Sequence, residues 1–130
     1  MRLELLAILL LLAPSTTHAQ TYLCAADAGA LVEDGAGRPA SSALANVSDS
    51  KYVVTHEDGT WGVKVLGSDY FLFDKCIISD YGEPSFCEQA GEMFAGSFLM
   101  DKDRRFSILW MTQVNGRDRW IVAKGRCSRI

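Results

Sequence analysis

The sequence predicts an all-β domain: a small antiparallel barrel or sandwich of about seven or eight strands, stapled by disulfides. Three observations predict it. Apolar residues recur at period two in short runs, Asp-Gly and Asn-Gly dipeptides separate several of those runs, and four cysteines serve a chain of only 130 residues. Little of the chain is left for helix.

The first element is not part of the domain. MRLELLAILLLLAPSTTHAQ carries Arg2, an apolar run from Leu5 to Ala13, and small residues Thr17 and Ala19 at −3 and −1 before Gln20. That layout is a secretory signal peptide over 1–19, cut after Ala19. An apolar run this short reaches only about 14 Å as helix against a hydrocarbon core of roughly 30 Å, so a membrane anchor is excluded. Thr21-Tyr22-Leu23 also lacks the small residues that a lipoprotein signal places before its cysteine. The expected product is one soluble domain over 20–130, periplasmic or secreted. A chain of that size buries roughly two-thirds of its unfolded surface, which allows a core but not a large one.

YLCAA (22–26) is the first predicted strand. From Ala28 to Ser50 the composition turns to Ala, Gly and Ser, which predicts the least structured part of the domain, with ALANV (43–47) as either a further strand or a short helical turn. KYVVTHEDGTWGVKVLG is the clearest unit. Val53, Val54 and Thr55 are β-branched, Trp61, Val63 and Val65 share a face, and Asp58-Gly59 between them suits a two-residue hairpin turn. DYFLFD (69–74) is expected as the next strand. EMFAGSFLM (92–100) and FSILWMTQV (106–114) follow, with Phe94, Phe98 and Met100 on one face and Phe106, Ile108, Trp110 and Val114 on another. Asn115-Gly116 turns the chain into RWIVAKGRC (119–127), the last strand.

All four cysteines, Cys24, Cys76, Cys87 and Cys127, fall in the exported part, where an even count implies disulfides. No C-x-x-C pair is present and His56 is the one histidine beyond the signal, so zinc and thioredoxin-like chemistry have no foundation. Of three connectivities, Cys76–Cys87 with Cys24–Cys127 is favoured. Asp80, Gly82 and Pro84 turn the short loop back on itself, and the long bridge joins the first strand to the last. On the chain-entropy model the two contribute about 3 and about 4.7 kcal/mol, comparable with the roughly 5–15 kcal/mol stability of a small domain.

SILWMT departs from simple alternation, because Leu109 and Met111 make its second face apolar too, and Leu99 repeats this on the neighbouring strand. Such strands are covered on both faces or expose a patch that binds something. Residues 28–50 are the expected cover.

The order Tyr22-Leu23-Cys24, Lys51-Tyr52-Val53-Val54, Gly67-Ser68-Asp69-Tyr70, Phe86-Cys87, then F-x-x-D-x-x-x-R-F from Phe98 to Phe106 and the ending Gly125-Arg126-Cys127-Ser128-Arg129-Ile130 resembles a group of small exported proteins of proteobacteria and their phages. Their usual ending is G-x-C-S-[KR]-[IL]. The group has no established activity, so the resemblance carries over no catalytic residue, but it implies a structural role for Cys127. A weaker likeness links the Y-x-C start to the periplasmic inhibitors of c-type lysozyme. Their S-G-x-x-Y loop is approached only by Gly67-Ser68-Asp69-Tyr70, in a different order. Gly59-Thr60-Trp61 is similar to the G-x-W of lipocalins, but here it is the exit of a hairpin turn.

No catalytic constellation is visible. His56-Glu57-Asp58 leads into a turn, and adjacent strand residues point to opposite faces. Neither a G-x-S-x-G elbow nor a phosphate-cradling glycine loop occurs, and no cofactor or metal is implied. Asn46-Val47-Ser48 is a glycosylation sequon that matters only in a eukaryotic secretory route. The charges are more informative. Residues 20–100 hold twelve acids and four bases, whereas 101–130 hold three acids and eight bases. Arg104, Arg105, Arg117 and Arg119, on two successive turns, are the candidate binding residues, with Tyr81 as a candidate exposed aromatic. The expected partner is an acidic protein or an anionic glycan. A net charge of −3 and export together argue against nucleic acid. The functional expectation is a non-catalytic binding or inhibitor-type protein, with a lipocalin-like carrier and then an enzyme as the alternatives.

Overall fold

The computed structural model describes residues 20–130 apart from residue 36 and the segments 47–49 and 91–93. The predicted signal peptide, Val47 and Ser48 of the sequon and the start of EMFAGSFLM therefore lie outside the described residues. Those residues form nine strands and no helix: β1 (Thr21–Gly35), β2 (Arg38–Leu44), β3 (Lys51–Glu57), β4 (Thr60–Val65), β5 (Lys75–Ile78), β6 (Pro84–Ala90), β7 (Phe94–Met100), β8 (Arg105–Val114) and β9 (Arg117–Arg129).

Eight of them run in the order β4-β3-β1-β9-β8-β7-β6-β5, each antiparallel to its neighbour. A bridge between Val63 on β4 and Phe73, just before β5, brings the ends of this path together into a nearly closed barrel. The ninth strand, β2, pairs with the far half of β1. The turns follow from residue chemistry. Asp58-Gly59 has φ of 51° and 81°, and Asn115-Gly116 has 53° and 73°, the pair of positive values that a primed hairpin turn needs.

The inward side chains fill the barrel. Tyr22, Val54, Val63, Phe73, Phe98, Phe106 and Ile108 are fully buried, with Trp61, Phe94 and Trp110 packed against them. Phe98 stacks on Phe106 at 5.6 Å between ring centres, and Phe106 meets Tyr52 edge-on at 6.0 Å. Gly125 makes room for this. A Cβ there would run into the Ala25 carbonyl, the Ala26 backbone and the Phe106 ring.

Both bridges are as expected. Cys24–Cys127 spans directly opposed residues of β1 and β9, and Cys76–Cys87 spans directly opposed residues of β5 and β6. No described cysteine is free, and two disulfides fit an oxidising compartment.

Three expectations need correction. Residues 28–44 are not the least structured part, because they supply the far half of β1 and all of β2. Their Ala, Gly and Ser content hid this. These strands are held by main-chain pairing on β9 and β1 rather than by bulky side chains, and propensity is blind to that. ALANV contributes only Ala43 and Leu44 to β2, with no helical turn at Ala45 or Asn46. DYFLFD is not a strand either. Its main chain bonds to β4 at Val63 alone, an isolated bridge rather than a ladder, while Leu72 and Phe73 turn into the core.

Candidate functional site

The second face of β8 and β9 is where the architecture leaves work undone. Directly paired residues point to the same side of a sheet, so the registers resolve the outer face into rows. The first row is Lys51, Ala25, Arg126 and Arg105 across β3, β1, β9 and β8. The second is Ala28, Lys124, Ser107, Leu99, Phe86 and Ile77, reaching β5. Third come Leu44, Ala30, Val122, Leu109 and Ser97, continued by Glu88 and Lys75 on β6 and β5, and fourth Ser42, Val32, Trp120, Met111 and Ala95.

The outer face thus grades from basic to apolar along the strands. From Arg126 to Trp120 is six residues, about 20 Å at strand rise. The apolar rows are not covered. Val32, Leu109, Trp120 and Val122 are 39–41% exposed, Leu99 is 50% and Leu44 is 92% exposed. Here the expected cover fails. β2 extends the sheet sideways from β1 instead of folding over its outside, so residues 28–44 enlarge the apolar face.

At the basic end the surface dips into a groove of about 780 Å³, with Phe86, Leu99 and Ser107 among its lining and Arg105, Lys124 and Arg126 beside them. Asp27, extruded by the bulge in β1 between Ala26 and Ala28, and Asp101 also reach it. Arg105 is opposed by Asp101 at 3.4 Å and Asp103 at 3.5 Å. Lys124 and Arg126 have no carboxylate within ion-pair distance among the described residues. Arg105 and Arg126 face each other directly across the ladder, a like-charged pair that Asp101 and Asp103 offset on the Arg105 side alone.

The four arginines singled out by the charge count do not form one rim. Arg104 and Arg105 lie at one end of β8, Arg117 and Arg119 beyond the other. Arg104 is part of the fold. It sits at φ 59°, its guanidinium lies 5.5 Å over the Tyr22 ring and pairs with Glu83 at 3.3 Å, and its carbonyl accepts from the Cys127 N–H at 2.7 Å. Tyr22 donates to the same Glu83 oxygen at 2.8 Å, and burial first, then that hydrogen bond, push its pKa up to about 12. Arg119 is held by Glu33 at 2.6 Å, on the inward side of the sheet extension. Arg117 is exposed at the hairpin tip, and Tyr81 is half exposed in the loop between β5 and β6. Asp101 shapes the turn before β8. Its Oδ1 accepts from the N–H groups of Arg105 and Asp103, both at 2.9 Å, and the Arg105 backbone donor leads in holding its carboxyl below the usual range.

Sequence reasoning passed over Lys124, Arg126, Trp120 and Val122 as a set. Their signal was present in RWIVAKGRC, where they alternate with Ile121, Ala123, Gly125 and Cys127. His56 is exposed on β3 with its ring 5.3 Å from that of Trp61. Among the described residues no group of three or more His, Cys, Asp or Glu is placed to hold a metal ion.

Fold and site together define a disulfide-stapled, nearly closed antiparallel barrel with an open amphipathic outer face. No protein-family model matches the chain, and no curated protein or solved structure shows significant similarity to it.

Proposed function

We propose that the chain is an exported, non-catalytic protein of binding or inhibitor type, whose outer sheet face meets an acidic partner. One observation carries this. The strands that close the core on one side present, on the other, exposed apolar rows bordered by Lys124 and Arg126, which have no ion-pair partner among the described residues. A surface of this composition is what recognition of a negatively charged partner uses, by attraction at the basic end and burial at the apolar end. Export to the periplasm or medium is supported by the layout of residues 1–19 and by the two bridges. The aromatic filling of the barrel speaks for a binding module rather than a carrier.

Retention on immobilised heparin, a sulfated glycan, and on immobilised polyglutamate tests it. Retention on at least one at 0.1 M salt is expected, with release by 1 M as the screening length falls from about 10 Å to about 3 Å. Lys124→Glu with Arg126→Glu should elute earlier at unchanged melting temperature. Passage through both columns at 0.1 M overturns a glycan or an acidic protein as the partner, and retention indifferent to the two reversals overturns the role given to this face.

A further inference from the structure

We propose that this face docks on a bilayer surface containing anionic phospholipid, with a phosphate-bearing headgroup at the Arg105–Lys124–Arg126 groove and the upper acyl chains against the apolar rows beyond it. This rests on the binding role given to the face above and names a partner chemistry for it.

The order of the rows is the first argument. A bilayer surface offers negative charge and hydrocarbon within a few ångströms of each other, and the face offers both complements side by side. Lys124 stands in the same row as Leu99, and Val122 and Leu109 occupy the next. Long basic side chains can lie along apolar surface while their charged ends stay among headgroups. Trp120, 41% exposed at the far end of the patch, has the amphipathic ring that favours the membrane–water boundary.

The second argument is charge. Asp101 and Asp103 already offset Arg105, but neither Arg126 nor Lys124 has a carboxylate within ion-pair distance among the described residues, so a phosphate at the groove would meet two bases that the fold leaves unpaired.

A second copy of the chain fits less well. Sheets stacked face to face about a twofold axis along the strands set basic row against basic row. An axis across the strands sets the basic row of each copy over the Val32–Trp120 row of the other. Either arrangement buries unpaired bases.

Co-sedimentation of the disulfide-bonded domain with phosphatidylcholine vesicles, with and without phosphatidylglycerol, provides the test. Binding should be at least tenfold tighter with phosphatidylglycerol. Lys124→Gln with Arg126→Gln should weaken it by about thirtyfold, as two bases near an anionic surface predict. Phosphatidylglycerol brominated on its acyl chains should quench tryptophan fluorescence in the unsubstituted protein, and Trp120→Phe should remove the quenched component. Equal affinity for the two vesicle types, no binding to either, or quenching that survives Trp120→Phe overturns the inference. So does a dimer in sedimentation equilibrium without vesicles that Leu109→Ser dissolves, which would assign the face to a second copy. Heparin or polyglutamate retention without vesicle binding sinks the lipid assignment alone. Failure on columns and vesicles alike sinks the binding role as well.

Discussion

Ile108 and Leu109 are neighbours on β8 with the same volume and nearly the same hydropathy, and they meet opposite fates. Ile108 is 1% exposed and Leu109 is 39% exposed. Their partners on β9 repeat the contrast, Ala123 buried opposite Ile108 and Val122 exposed opposite Leu109. The inner side is sealed because the sheet curls back on itself and brings Phe73, Phe98 and Phe106 into contact with it. The outer side has no second layer among the described residues, since β2 lies in the plane of the sheet. Burial here is decided by curvature, not by the hydrophobicity of the residue.

Truncations on the sealed side should therefore cost most. Phe106→Ala removes a ring stacked on Phe98 and edge-on to Tyr52, and should lower stability by about 3–5 kcal/mol in denaturant unfolding. A loss below about 1 kcal/mol would mean the barrel interior is not the packed core described.

The long bridge comes next. Cys24→Ser with Cys127→Ser frees the chain over a separation of 103 residues and should cost about 2–5 kcal/mol, read as a lower melting temperature.

Tyr22 gives a smaller effect with a pH signature. Its pKa rises from 10.0 to about 12, so the folded state holds the phenol proton longer than the unfolded chain does. The stability this gives is complete below pH about 10 and is lost as pH rises toward about 12. Melting curves across that window should fall more steeply for the unsubstituted protein than for Tyr22→Phe, which should itself cost about 1–3 kcal/mol near neutral pH by stripping Glu83 of a buried donor. Parallel curves would remove Tyr22 from this role.

On the open side the expectation reverses. Leu109→Ser should change stability by no more than about 0.5 kcal/mol, and His56→Ala by less still, both read from the same unfolding curves. A large loss at Leu109 would mean that something covers it in solution.

How much of this could be read beforehand follows from the same contrast. Period two located β3, β4, β7, β8 and β9, and the two primed turns fixed the β3–β4 and β8–β9 pairings, because alternation and positive φ are local properties. The disulfide pairing followed from turn residues in one loop and from the placing of Cys24 and Cys127 on the first and last strands. What stayed hidden is non-local. That residues 30–35 and 38–44 would pair depends on β9 being alongside, and Ala, Ser and Gly give no sign of it. Two apolar faces on SILWMT were visible, but which one would meet the core was not. The basic residues were countable, yet only the ladder shows that Arg104 and Arg119 are tied to Glu83 and Glu33 while Lys124 and Arg126 stand clear.

The pairing of β1 with β9 has a consequence in time as well as in space. The Thr21 carbonyl accepts a hydrogen bond from the Ile130 N–H, so two adjacent strands that zip together are made far apart in synthesis. As the polypeptide emerges, β1 can pair with β2 and β3 but has neither β9 nor Cys127 to join, and the first thiols that Cys24 meets are Cys76 and Cys87. A wrong bridge can then form before the right one exists. Emergence of β9 is thus the earliest moment at which the barrel can close, and an oxidant acting before then works against the fold unless the early bridge can be exchanged.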